Sequence, residues 1–210
     1  MHRFFIKTPW LVKQLFHEYT WNFSRMEHAV YLTFDDGPHP VITSWVLDQL
    51  KIYQALATFF CVGENVAQHP EIYQRILAEG HATGNHSQHH PNGWKIPTDT
   101  YVADVKEATA FIQSPLFRPP YGRIKKAQAK GVKALLGPAT KIIMWDVLSC
   151  DFDPSFSKEH CLKNVLDYVR AGSIIVFHDS EKAAPNMQYA LPVVLQRLAE
   201  KKYAFKRISE

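Results

Sequence analysis

The chain has 210 residues, 46% hydrophobic and 21% charged, the make-up of a single globular domain with a sizeable core. Its net charge of +4, with no extended Lys/Arg run, argues against a nucleic-acid binder. No stretch approaches the ~18 apolar residues of a membrane span. The three cysteines, Cys61, Cys150 and Cys161, form no CxxC pair, which argues against a disulfide framework and for a reducing compartment.

The N-terminus is basic (His2, Arg3, Lys7), but Lys7 and Lys13 interrupt its apolar residues. No hydrophobic signal region develops and no small-residue cleavage site follows. The expectation is a cytoplasmic protein, unless export uses another route. Thr8-Pro9 reads as an N-cap followed by proline at the first helical position. Leu11, Val12, Leu15, Phe16 and Tyr19 then make a stripe at helical spacing, with Trp10 and Trp21 as anchors. An aromatic stripe can be a sugar platform, but at this spacing it reads as core. Residues 1–29 are therefore expected to be a helical extension packed on a domain spanning 30–210.

From there strands and helices alternate. Strands are predicted at 30–34, 57–62, 81–85, 116–118, 142–147, 173–177 and 203–208. Helices are predicted from about Val46 to Tyr53 and at 71–79, 101–113, 125–136, 158–170 and 188–201. This α/β alternation, with about seven strands, specifies a parallel sheet with helices outside it, either open or closed into a barrel. No Gly-x-Gly-x-x-Gly or Gly-x-x-x-x-Gly-Lys follows the first strand, which argues against nucleotide binding.

The polar residues are unevenly placed. Asp35 and Asp36 follow the first strand, and His86 and His90 the third. Arg118 ends the fourth, Asp146 and Asp151 follow the fifth, and His178 and Asp179 the sixth. All sit at the C-terminal ends of strands, which in a barrel share the face where catalytic groups gather.

Asp35-Asp36-Gly37-Pro38 alone is well explained as a turn, but side chains alternate along a strand, so the two acids point in different directions. One can hold a metal while the other faces a reacting group. His86 and His90, four apart, share a face if they lie on one helical turn. Two imidazoles and a carboxylate with an open position suit a catalytic ion of the zinc type. Hydrolysis also needs a base and an acid. Asp35 is the natural base and His178 the natural acid, and a carboxylate such as Asp151 would favour the protonated His178. Arg118-Pro119-Pro120-Tyr121-Gly122 is a stiff turn. It can hold the guanidinium against a carboxylate and leave the Tyr121 N–H facing a developing oxyanion. His89, between the two paired histidines, is expected to point away.

Five segments resemble, in order, the motifs of the polysaccharide deacetylases (carbohydrate esterase family 4, the chitooligosaccharide deacetylase homology domain). They are Thr33-Phe34-Asp35-Asp36-Gly37-Pro38, His86-Ser87-Gln88-His89-His90-Pro91, Arg118-Pro119-Pro120-Tyr121-Gly122, Trp145-Asp146-Val147 through Asp151-Phe152, and Ile174-Ile175-Val176-Phe177-His178-Asp179. The resemblance covers residues 30 to about 205. It implies a distorted (β/α) barrel and metal-dependent removal of N-acetyl groups from N-acetylglucosamine polymers such as chitin oligomers or peptidoglycan. It implies Asp35 as base, Asp36, His86 and His90 as ligands of a divalent ion such as Zn²⁺ or Co²⁺, and Arg118 as the group orienting the base. It also implies Tyr121 as oxyanion donor, His178 as acid and Asp151 as the carboxylate that tunes it, with Asp146 a second candidate for that role. Pro119, Tyr121, Phe152 and Val176 are implied at the substrate. Phe152 stands where the family usually has Trp, and Val176 where Leu is common. Some members act on xylan O-acetyl esters or on cyclic amides and imides, and a non-catalytic carbohydrate-binding relative is the reading from another class.

Overall fold

The computed structural model describes residues 5–209, so the basic start at His2 and Arg3 lies outside the described residues. Eight strands pair in parallel among them: β1 (Ala29–Asp35), β2 (Ala57–Cys61), β3 (Ala82–Asn85), β4 (Leu116–Phe117), β5 (Lys141–Ile142), β6 (Val147–Leu148), β7 (Ile174–His178) and β8 (Ala204–Phe205). Seven of them, in the order β5-β4-β3-β2-β1-β7-β6, curl into a distorted β/α barrel, and β8 adds to β1.

The single strand expected at 142–147 is two short ones on opposite edges of this sheet. The Ile143 N–H still bonds Phe117 O next to β4, whereas the Asp146 N–H bonds Ile174 O at β7. Met144 and Trp145 therefore cross the barrel's seam. The apolar run gave no sign of this, because buried strands and seam crossings are equally apolar.

The N-terminal segment fills the seam. On one side the Thr20 N–H donates to Ile142 O and the Met144 N–H to Thr20 O. On the other, the Thr8 N–H donates to Asp146 O and the Leu148 N–H to Ile6 O. Edge backbone groups must find partners, and these residues supply them. The expected N-terminal helix shrinks to six residues, α1 (Trp10–Leu15), and buries none of them. Trp10, at 71% exposed, is no anchor; Trp21 and Tyr19 are buried. Thr8 does not cap the helix, because its hydroxyl donates to Trp145 O. The segment is held by ion pairs instead: the fully buried Asp146 accepts from both Lys7 and Lys13.

The helices are amphipathic and cover the sheet's outer face: α2 (Ile42–Ile52), α3 (Gly63–Gln68), α4 (Pro70–Ala78), α5 (Thr98–Ala108), α6 (Lys126–Leu136), α7 (Lys158–Tyr168) and α8 (Ala184–Glu200). Helix α2 buries Ile42, Val46, Leu47 and Leu50, one stripe of the 3.6-residue period. The sequence reading lacks α3, whose single turn and a half carries little periodicity. Helix α8 starts four residues before the expected position, with Pro185 in its first turn, where proline is tolerated.

The period-two alternation of β1 explains the interior. Leu32 and Phe34 pack outward into the main core cluster with Val46, Leu47 and Leu191. Tyr31, Thr33 and Asp35 face inward. Tyr31 joins Phe60, Leu116, Ile143 and Ile174 in an apolar cluster. Thr33 lies one layer higher against Arg118, and Asp35 reaches the open end. The barrel is thus dry at its base and polar at the C-terminal ends of its strands.

Candidate active site

Asp35 ends β1 with its carboxylate almost wholly buried, and Oδ1 accepts from Arg118 Nη1 at 2.6 Å. Arg118 is fully buried, yet every guanidinium nitrogen has a partner. Nη1 also donates to Thr33 Oγ1 (2.7 Å), Nε to Ile143 O (3.2 Å) and Nη2 to Met144 O (3.1 Å), with the Phe60 ring centroid 4.0 Å from Cζ. A buried cation held this completely is a fixed point of charge.

Asp36 leaves the strand with φ +81°, which turns its carboxylate away from Arg118 and toward two imidazoles. Oδ1 lies 3.3 Å from His90 Nε2 and 3.8 Å from His86 Nε2. This oxygen is buried and has no hydrogen-bond partner. The turn is held from behind by the buried Asp179, whose Oδ1 accepts from Gly37 N–H (3.1 Å) and Oδ2 from Thr43 Oγ1 (2.5 Å). A Cβ on Gly37 would lie 2.1 Å from that carboxylate, so only glycine fits. Asn65 Nδ2 donates to Asp36 O at 2.7 Å.

His86 and His90 meet without a helical turn. The 86–90 segment is a loop in which Ser87 (φ +68°) and His90 (φ +55°) both take the left-handed conformation, reversing the chain so that the rings lie 4.9 Å apart. His89 points away and pairs with Asp104 at 2.8 Å. His86 Nδ1 bonds Arg118 O at 2.7 Å, which fixes the N–H there and leaves Nε2 as a lone-pair donor. Burial, then the neighbouring His90, takes the His86 pKa down to about 3, and burial lowers that of His90. Both rings are neutral at ordinary pH, as metal binding requires.

Ligand atoms of Asp36, His86 and His90 all lie within 4.8 Å of one another. An unpartnered buried carboxylate oxygen facing two neutral imidazoles fits a divalent cation. The three also leave coordination positions open on the cavity side.

His178, the register partner of Asp35 on β7, is prepared in the opposite sense. Asp151, fully covered, accepts from both His178 Nδ1 and the His178 backbone N–H, each at 2.8 Å. Burial pulls the imidazole down, but the Asp151 carboxylate, with Asp36 and Asp35 adding, outweighs it and raises the pKa to about 9. The competing candidate, Asp146, faces the N-terminal lysines and does not reach His178.

Asp35, Asp36, His86, His90 and His178 line one cavity of about 720 Å³, whose other walls include Pro119, Tyr121, Phe152 and Val176. Arg118 and Asp151 stand behind this lining. Phe152 packs edge-on against His178, with centroids 4.8 Å apart. Tyr121 has φ +59°, and its N–H has no acceptor among the described residues. Non-glycine residues at positive φ cost ~1–3 kcal/mol each and collect where geometry matters; four of them (Asp36, Ser87, His90 and Tyr121) gather here. No thiol nucleophile competes: Cys61, Cys150 and Cys161 are buried and unpaired, and burial pushes Cys150 and Cys161 up to about 12.

Sequence reasoning assigned no role to Thr33, Asn65 or Asp179. Period two along β1 places Thr33 under Asp35, a signal that was available. Asp179 was marked by its place at a strand end, but its partners Gly37 and Thr43, like the Asn65 contact with Asp36, join distant segments for which the sequence offers no local pattern.

The family model for polysaccharide deacetylases matches residues 24–136. The chain is 32% identical over 197 residues to a peptidoglycan-N-acetylglucosamine deacetylase of Bacillus cereus, covering 91% of each chain. It is 32% identical over 160 residues to a chitooligosaccharide deacetylase of Azorhizobium caulinodans, covering 73% of this chain and 74% of the relative. Among solved structures, a peptidoglycan N-acetylglucosamine deacetylase in complex with 4-naphthalen-1-yl-N-oxidanyl-benzamide superposes with a TM-score of 0.84 at 30% identity, over 96% of this chain and 95% of that one. Some other curated relatives are longer; the chain spans 56% of a second B. cereus deacetylase and 39% of a Listeria monocytogenes one.

Proposed function

The chain belongs to the polysaccharide deacetylase family of hydrolases, and from that premise we propose that it removes N-acetyl groups from N-acetylglucosamine-containing saccharides, chitin oligomers or peptidoglycan. One observation carries this reading. A cation-ready Asp36–His86–His90 group, an arginine-held carboxylate and a carboxylate-held histidine converge on a single cavity.

Asp36, His86 and His90 would hold the ion, for which Zn²⁺ is the first candidate. A divalent ion lowers the pKa of water and polarises a carbonyl. Asp35, oriented by Arg118, takes the proton of the attacking water. The Tyr121 N–H, aimed by its left-handed backbone, donates to the oxygen on which charge develops. His178, protonated through Asp151, gives its proton to the departing amine. Val176 and Phe152 supply an apolar wall for the acetyl methyl.

The test is acetate release from N-acetylglucosamine oligomers. Chelation should abolish it, and Zn²⁺ or Co²⁺ should restore it. Release from acetylated xylan or small cyclic amides but from no N-acetylated saccharide would overturn the reading.

A further inference from the structure

A second cavity, of about 540 Å³, adjoins the catalytic one; the two share Tyr121, Gly122, Arg123 and Trp145. Much of its remaining lining comes from the seam-filling N-terminal segment, including Phe16 and Trp21, and Trp94 completes it. The aromatic stripe that sequence spacing assigned to the core is here partly a cavity wall, since Phe16 stays 39% exposed.

Trp94 is 60% exposed, so its ring adds little to stability where it stands. Its backbone is nevertheless fixed. The buried Gln128 donates to Gly93 O at 2.8 Å, and Trp94 N–H bonds Asn92 Oδ1 at 3.1 Å. The Arg123 guanidinium lies 5.1 Å from the Trp94 ring centroid. An exposed indole on a fixed backbone, with a guanidinium over one face of its ring, offers flat apolar surface and hydrogen-bond donors together.

A pyranose ring has the matching chemistry: an apolar C–H face and an edge of hydroxyl and acetamide oxygens. The volume is in the usual range for ligand sites, and the four shared lining residues place the cavity next to the catalytic cleft. We propose that this cavity is a saccharide subsite, in which a ring of the same bound chain stacks on Trp94 while Arg123 donates to its oxygens. The proposal rests on the deacetylase reading and extends it. The Trp94–Arg123 pair makes the protein selective for longer chains without touching the reacting group.

The test measures kcat/KM for acetate release from N-acetylglucosamine oligomers, dimer to hexamer, and from peptide-bearing peptidoglycan fragments, using the metal-loaded protein. In the wild type kcat/KM rises with chain length. Trp94→Ala removes about threefold to tenfold from the hexamer through KM, leaves the dimer unchanged, and Trp94→Phe retains most of the gain. The ring is exposed, so the variant keeps its fold. Wild-type kcat/KM at every length, or an equal loss at every length, overturns the subsite while sparing the deacetylase reading. A loss confined to peptide-bearing fragments assigns the cavity to a peptide and overturns the proposal. Wild-type inactivity on every oligomer and on the peptidoglycan fragments overturns the deacetylase reading and this inference with it.

Discussion

Asp35 and His178 are register partners on adjacent parallel strands, and each is backed by one oppositely charged group: Arg118 at 2.6 Å for Asp35, Asp151 at 2.8 Å for His178. The pairing of β1 with β7 therefore sets a carboxylate and an imidazolium side by side at one cavity. Arg118 fixes the position of Asp35, and Asp151 favours the protonated form of His178. A carboxylate and a protonated imidazole placed together in this way suit base and acid roles in one reaction.

Asp35→Asn removes the proposed base but none of the three proposed cation ligands. Turnover should fall by about 10²–10⁴, while metal content, measured on the purified protein, stays at the wild-type level. Near wild-type turnover would show that Asp35 is not the base. Loss of metal along with activity would show that the two carboxylates do not divide the work as proposed.

The pH dependence follows from His178. Its folded pKa of about 9 lies above the ordinary histidine value, so the acid form is populated below about 9 and turnover should fall as pH rises through it. A cation beside Asp36 offsets part of that carboxylate's pull, which places the limb somewhat lower. The same shift contributes stability in full below ~6.5, and that contribution is lost as pH rises through about 9. Asp151→Asn removes the leading stabiliser of the imidazolium and should move the alkaline limb of kcat to lower pH. Titration of the His178 ring by NMR checks the assignment, and a limb that does not move would refute it.

The alternation of elements was legible in the sequence because short continuous apolar runs such as Ala57–Cys61 mark buried strands, and the 3.6-residue period of stretches such as Ile42–Ile52 marks helices. The site residues were legible because each stands at a strand end, where turn chemistry alone does not call for Arg or His. The left-handed residues of the 86–90 loop were not, since Ser and His do not announce positive φ as Gly does. Nor was the crossing at Met144–Trp145, which depends on edge hydrogen bonds supplied from more than a hundred residues away. The exposure of α1 escaped for a related reason: its stripe has the spacing of a core helix, but Lys7 and Lys13 fasten the segment through Asp146 instead.

Arg118→Met should be costly. It leaves Asp35 buried without its cation, and breaking such a pair costs about 3–5 kcal/mol. Urea unfolding would report it as a lower midpoint. The double variant Arg118→Met/Asp35→Asn should recover part of the loss, because the unpaired charge is gone. Additive losses would mean that the pair is not coupled and that Arg118 serves only as backbone scaffolding for Ile143 and Met144.

Asp146→Asn tests the seam. Asp146 is fully buried, and although burial raises its pKa, hydrogen bonds from Lys13, Lys7 and Ser173 hold it below the usual carboxylate value. The depressed folded pKa contributes stability above ~3.9, and that contribution is lost as pH falls through the folded value. Asparagine keeps the shape and removes the charge, at about 1.5–3 kcal/mol for a charged hydrogen bond. The loss should fall on the N-terminal segment first. Amide hydrogen exchange at Thr8 and Thr20, which bond across the seam to Asp146 and Ile142, should quicken more than at Tyr31 on β1, bonded to Ser173. The alkaline limb set by His178 should stay in place, in contrast to Asp151→Asn, because Asp146 faces the lysines and not the imidazole. Equal quickening at all three amides would mean that Asp146 supports the barrel as a whole and that the segment is no separate clasp.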